Sequence, residues 1–162
     1  MSTDGGETLD HNAVAAFQNE TSELYRRASN AVEEMGRAQN RIDHIRAALT
    51  QTPTLDADPH ARIYALNSSL EELRQQLIFD SVRQNLDEPR TPSVRMRIGR
   101  VAFGHWNTQQ APTTTQRRNL ELGRKGLDEL VTALSSLIEN DLAALEAELE
   151  KASAPWTPGR KL

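Results

Sequence analysis

Between Arg90 and Lys125 the chain carries eight basic residues, Arg90, Arg95, Arg97, Arg100, Arg117, Arg118, Arg124 and Lys125, against one acid, Glu121. Guanidinium groups recognise phosphates and carboxylates through paired donors, and Phe103 and Trp106 lie among them as stacking surfaces. The chemistry this suggests is anion binding, of a phosphate, an acidic glycan or a nucleic acid, at Arg95, Arg97, Arg100, Arg117 and Arg118. Amide dipoles at a nearby helix start would assist it. The plainer alternative is internal pairing, with Asp80, Asp87 and Glu88 and with other helices, because runs of charge are usually solvated or paired within the fold. A net charge of −4 argues against a dedicated nucleic-acid binder.

Other chemistries lack their residues. There is no cysteine, which removes disulfides, thiolate nucleophiles and zinc–sulfur sites together. A two-metal carboxylate bundle needs a glutamate three residues before a histidine on a helix, but Arg41 and Ala102 stand three before His44 and His105. His60 lies near Asp56 and Asp58 in what reads as a cap region, so a designed metal site is not expected there. No serine or threonine sits in a recognisable nucleophile–base arrangement. Gly36, Gly99, Gly104, Gly123 and Gly126 are scattered without phosphate-loop spacing and read as close-packing points or weak spots in helices. Phe103, Trp106 and Trp156 read as interface groups or caps at the ends of a bundle. No catalytic residue, metal or cofactor is expected.

The elements that must position these residues are helical. Val14, Phe17, Thr21, Leu24, Ala28, Ala31, Met35, Ala38, Ile42, Ile45 and Leu49 recur three and four apart, which is the seam a long helix keeps against partner helices. That predicts a helix from about His11 to Thr50, ended by Pro53. Asp58 and Pro59 read as N-cap and first turn of a second helix with Ile63, Leu66, Leu70, Leu73 and Leu77, fading near Leu86 before a forced break at 87–92. Thr91 and Pro92 repeat the device, opening a short helix with Val94, Ile98, Val101 and His105 on one face. Thr113 and Gln116 form a capping box that starts a fourth helix. Its later part repeats every eleven residues, as in Leu127, Ile138 and Leu149, which predicts a nearly straight rod stopping before Pro155.

The fold class expected is all-α, an elongated antiparallel bundle of four helices with a short third. The alternative has three long helices, the middle one broken at Pro89–Pro92. The 162 residues, 26% charged and only 4% aromatic, suit one such domain over positions 11–154. Residues 1–10 read as a disordered leader and 155–162 as a non-helical tail folding onto the bundle through Trp156. Unequal helix lengths would leave seam uncovered, predicting a protein partner or a second copy. No stretch reaches the roughly 18 apolar residues needed to span a bilayer, and Met1 to Asp10 lacks a signal peptide's features, so the chain reads as soluble.

The second half also resembles a known family. Pro92–Gly99, Ala111–Arg118, and Asp141–Glu146 with Leu149–Arg160, ending Ala-Pro-Trp-Thr-Pro-Gly-Arg, are similar to the C-terminal helical region of bacterial sortilin-like β-propeller proteins with neuraminidase-type repeats. Asn40, Arg41, Ile42 and Ile45 fit that region more loosely. None of the propeller and no Ser-x-Asp-x-Gly-x-Thr-Trp box is present, so no catalytic residue carries over. The resemblance implies an accessory helical module, exported or periplasmic if it is part of a propeller protein, and an accessory role beside a carbohydrate-active enzyme. The expected function is a non-enzymatic interaction or assembly module, with the anionic-ligand module as its alternative.

Overall fold

Asp10 starts the first helix. Its carboxylate accepts from the amides of Asn12 and Ala13, at 3.1 and 3.2 Å, capping α1, His11–Thr50. This is a computed structural model, and it describes residues 10–53, 55, 58–78, 91–106 and 108–161. Of the leader expected over 1–10, positions 1–9 lie outside those residues, as does the end of the second helix expected near Leu86, while Asp10 is the cap of α1. Every seam position from Val14 to Leu49 is buried, joined by Ala48. Thr21, the one polar member, is satisfied locally, since its hydroxyl donates to the Phe17 carbonyl at 2.7 Å. The α1 seam is therefore covered along its whole length, and among the described residues it shows none of the uncovered overhang expected from unequal helix lengths.

The second helix, α2, spans Asp58–Leu77, and the third, α3, spans Val94–His105. Ser93 caps α3, its hydroxyl accepting from the Met96 amide at 3.2 Å. Thr91 and Pro92 consequently precede the helix and do not open it: two cap-like signals lay side by side, and the hydroxyl three residues before a free amide prevailed. The capping box forms as read, with the Thr113 amide donating to Gln116 Oε1 at 2.8 Å and the Gln116 amide donating to Thr113 Oγ1 at 3.2 Å. It launches α4, Thr114–Ser136, which passes through a π-helical segment, Leu137–Leu142, into α5, Ala143–Lys151.

Cross-helix contacts give the directions. Gln39 bonds Asn67, Tyr25 meets Phe103 and Phe17 meets His105, so α2 and then α3 run antiparallel to α1, one after the other. Arg27 pairs with Asp128 and Arg41 with Glu146, so α4 and α5 run parallel to α1. The bundle is all-α with four helical rods and a short third, as expected, and its packing follows the second topology, in which α2 and α3 form one interrupted middle strut.

The last rod, read from its eleven-residue repeat as a nearly straight helix, contains one π-helical turn. Leu120, Gly123, Leu127, Leu130, Leu134 and Leu137 are buried at three–four spacing; the next buried leucines are Leu142, Leu145 and Leu149. The step from Leu137 to Leu142 is one residue too long for an α-helix, whose face would then rotate by about 100°. The π turn takes up the extra residue and keeps both halves facing the core.

Glycines set how closely the struts approach. A β-carbon at Gly123 would lie 2.7 Å from Ile98 Cγ1, and one at Gly126 would lie 2.9 Å from Val94 Cγ2, so α4 receives the apolar face of α3 at these two points. Gly36 and Gly104 face open space.

At the far end, α5 is tied down by arginines from three elements. Arg41 of α1 makes a two-pronged pair with the buried Glu146, both bonds 2.8 Å; Arg62 of α2 pairs with Glu148, and Arg160 of the tail with Glu150. The helix ends in a Schellman turn: the Ala154 amide donates to the Leu149 carbonyl at 3.0 Å and the Ser153 amide to the Glu150 carbonyl at 3.1 Å, with Ser153 at φ 52°. The chain then lies back over the Arg41–Glu146 pair. At Gly159, φ is +99° and a β-carbon would fall 2.5 Å from Glu146 Oε1, so only glycine fits there.

Gly123→Ala is expected to destabilise by about 1–3 kcal/mol through overpacking, whereas Gly36→Ala is expected to stabilise by about 0.5–1 kcal/mol through helix propensity, both read by urea denaturation. Glu146→Ala should cost about 2–4 kcal/mol because it strands a largely buried guanidinium, and adding Arg41→Met should recover part of that loss.

Candidate functional site

On α3 the helical repeat divides the side chains between two faces. Ile98, Val101, Ala102 and His105 turn into the core, beneath α1 and α4. His105 is a structural pin. Its ring stands edge-on to Phe17 at 5.1 Å, and Nε2 lies 2.9 Å from the Gln110 carbonyl; a carbonyl can only accept, so Nε2 carries the proton. Gln18 reinforces the same corner by donating to the carbonyls of His105 and Thr108.

The opposite face of α3 carries aromatic groups that the core does not use. Phe103 and Trp106 are each 66% exposed. Their rings are nearly parallel, 6° apart with centroids at 6.4 Å, and Tyr25 of α1 meets Phe103 edge-on at 5.5 Å. Beside them an open, mostly apolar groove of about 520 Å³ is lined by Tyr25, Ile78, Met96, Gly99, Phe103 and the stems of Arg95 and Arg100. Gly99 makes its floor: a β-carbon there would sit 3.7 Å from both Tyr25 and Phe103, so a larger side chain would fill the slot between the rings.

The five arginines of the sequence reading do not form one cluster. Arg95 and Arg100 frame the groove, and the Arg95 guanidinium lies over the Tyr25 ring at 5.7 Å, within 3.5 Å of its hydroxyl. Arg97 turns to the other flank of α3, reaching Asn119 of α4 at 3.5 Å and lining a separate cleft with Leu73, Leu122 and Glu129. Arg117 covers Phe17 at 5.8 Å, and Arg118 is exposed on α4. Among the described residues none of the five pairs with a carboxylate, whereas Arg124 pairs with Glu20 and Lys125 with Glu129. Asp80, Asp87 and Glu88, the partners expected for the basic run, lie outside the described residues.

Trp156 stands apart from this face. The tail seals itself through Ala154, Thr157 and the Arg160 side chain, which donates to the carbonyls of Ala154 and Pro155. Trp156 is 53% exposed, its indole N–H donating to the Arg160 carbonyl at 3.2 Å, so it is not the group that anchors the tail. Tyr25, Met96 and Ile78 were the groove residues that sequence reading passed over. The signal for Met96 was present, since positions 96, 99 and 103 recur three and four apart on the side of α3 opposite its core face. Tyr25 gave none, lying one step off an otherwise ordinary seam.

Among the described residues no three His, Asp or Glu side chains gather closely enough to hold a metal ion, and no helix is long and apolar enough to cross a membrane. Because Phe103 and Trp106 contribute little to the core, the double variant Phe103→Ser/Trp106→Ser should lose no more than about 1 kcal/mol of stability. Phe17→Ala, at a buried ring, should lose about 3–5 kcal/mol, as thermal unfolding followed by circular dichroism will read. No protein-family model, curated protein or solved structure matches this chain.

Proposed function

We propose that this protein is a non-enzymatic helical interaction module whose contact surface is the aromatic groove between α1 and α3. The observation that carries the reading is the exposed Phe103–Trp106 pair, with the half-buried Tyr25 ring beside it. The pair lies on a bundle whose α1 seam is covered along its length, so most of the Phe103 and Trp106 ring surface is left to solvent. Large aromatic groups left in water beside an apolar slot are the usual anchors of protein interfaces. The anion-binding alternative draws on the same arginines but receives less support, because Arg95, Arg97 and Arg117 diverge onto different sides of the bundle and leave no continuous basic stripe. Attachment to a propeller protein, or to a carbohydrate-active enzyme, rests on the sequence resemblance alone.

A photo-crosslinking amino acid placed at position 103 in the source cell tests the module reading, with position 64 as control because Tyr64 is an isolated exposed aromatic on α2. The expected result is one discrete adduct from position 103, abolished by Trp106→Ser and absent from position 64. An adduct of twice the chain mass identifies a second copy as the partner; a different mass identifies another protein. Absence of any adduct specific to position 103 overturns the reading.

A further inference from the structure

The groove's charges constrain what can fill it. Arg95 and Arg100 lie five residues apart on α3, which separates them by about 7–8 Å along the helix axis and by roughly 140° around it. Phe103 and Gly99 fall between the two in angle. The two side chains leave the helix on either side of the Gly99–Phe103 strip, which favours separate anionic groups over one shared anion, and a nucleic-acid strand would need the basic track to continue, whereas Arg97 turns to the α4 flank. What fits is a ligand with an apolar anchor at its centre and carboxylates on either side.

The surroundings add to this. Arg26, Arg27, Arg37, Arg41, Arg46, Arg62, Arg124 and Arg160 each meet a carboxylate within the chain. Among the described residues Arg95 and Arg100 do not, although they border an open, mostly apolar groove. Arg95 is also held in place: its guanidinium rests on the Tyr25 ring and reaches the Tyr25 hydroxyl. Less side-chain freedom is then lost when a carboxylate arrives. Met96 beside it supplies a flexible wall that adapts to the anchor's shape.

We propose that the partner segment is acidic, with one large aliphatic or aromatic anchor that enters the slot over Gly99 and carboxylates before and after it that meet Arg95 and Arg100. The inference rests on the interaction-module reading and specifies its ligand.

The test is a random peptide library displayed against the full chain, with binders counter-selected on the Phe103→Ser/Trp106→Ser variant so that only groove-dependent peptides are kept. The expected outcome is peptides combining a large apolar residue with flanking Asp or Glu. Their affinity should fall at least tenfold in Arg95→Gln/Arg100→Gln, fall between 50 and 500 mM salt, and fall again in Gly99→Leu, which fills the slot; circular dichroism of each variant confirms that the bundle is intact. Groove-dependent peptides that are neutral or basic, or acidic ones indifferent to the two glutamines, overturn the acidic-ligand proposal and leave the groove reading standing. If no groove-dependent peptide is recovered, both fall.

Discussion

The three–four seam of α1 is the constraint on which the molecule depends. One helix of 40 residues offers a single continuous apolar stripe, and both the interrupted middle strut and the α4–α5 rod must pack against it. Each large side chain on such a stripe contributes roughly 1.5–3 kcal/mol when it leaves water. No other element spans the bundle's length without a change in its backbone. α2 and α3 divide the work at a break, and the last rod shifts its register in a π turn; α1 is the fixed template.

That template explains how much could be read from the residues. The seam, the capping box at Thr113 and the all-α class depend on interactions within a few positions of one another, so spacing alone reveals them. The start of α3 was placed at Thr91 because Thr-Pro and Ser93 are equally good local signals, and only the folded helix decides between them. The π turn of the last rod leaves no separate mark in the spacing, for a similar reason. Eleven-residue spacing describes a straight α-helix, but it also describes two heptad stretches separated by one extra residue, and sequence does not distinguish them. The choice between four packed helices and a broken strut depended on which helices touch, a long-range property. As for the site, the exposed aromatics were singled out, but their grouping with Tyr25 requires α3 to lie against α1 in one particular rotation.

Charge follows the same division between local and distant information. The sequence presents a basic middle and an acidic end, which invites the idea that one neutralises the other. In the fold the acidic end is met by Arg41, Arg62 and Arg160, drawn from α1, α2 and the tail. The acids of α5 are therefore committed to holding the far end of the bundle closed, where burial of Glu146 makes its partner obligatory. Arg95 and Arg100 stand beside the aromatic slot without a carboxylate partner among the described residues, whereas the three acids of α5 are all spent on closing the far end.

The π turn carries a consequence for how this chain can change over evolutionary time. Removing one residue between Leu137 and Leu142 would restore an unbroken α-helix with Leu137 and Leu142 four apart, and every buried leucine on either side would keep its neighbours. Length variation by a single residue, ordinarily ruinous inside a core helix, is absorbed at this place. Descendants of a common ancestor could differ by one position there and still share the same interior, so a one-residue gap in a comparison of such chains would mark a change of helix winding and not a change of fold.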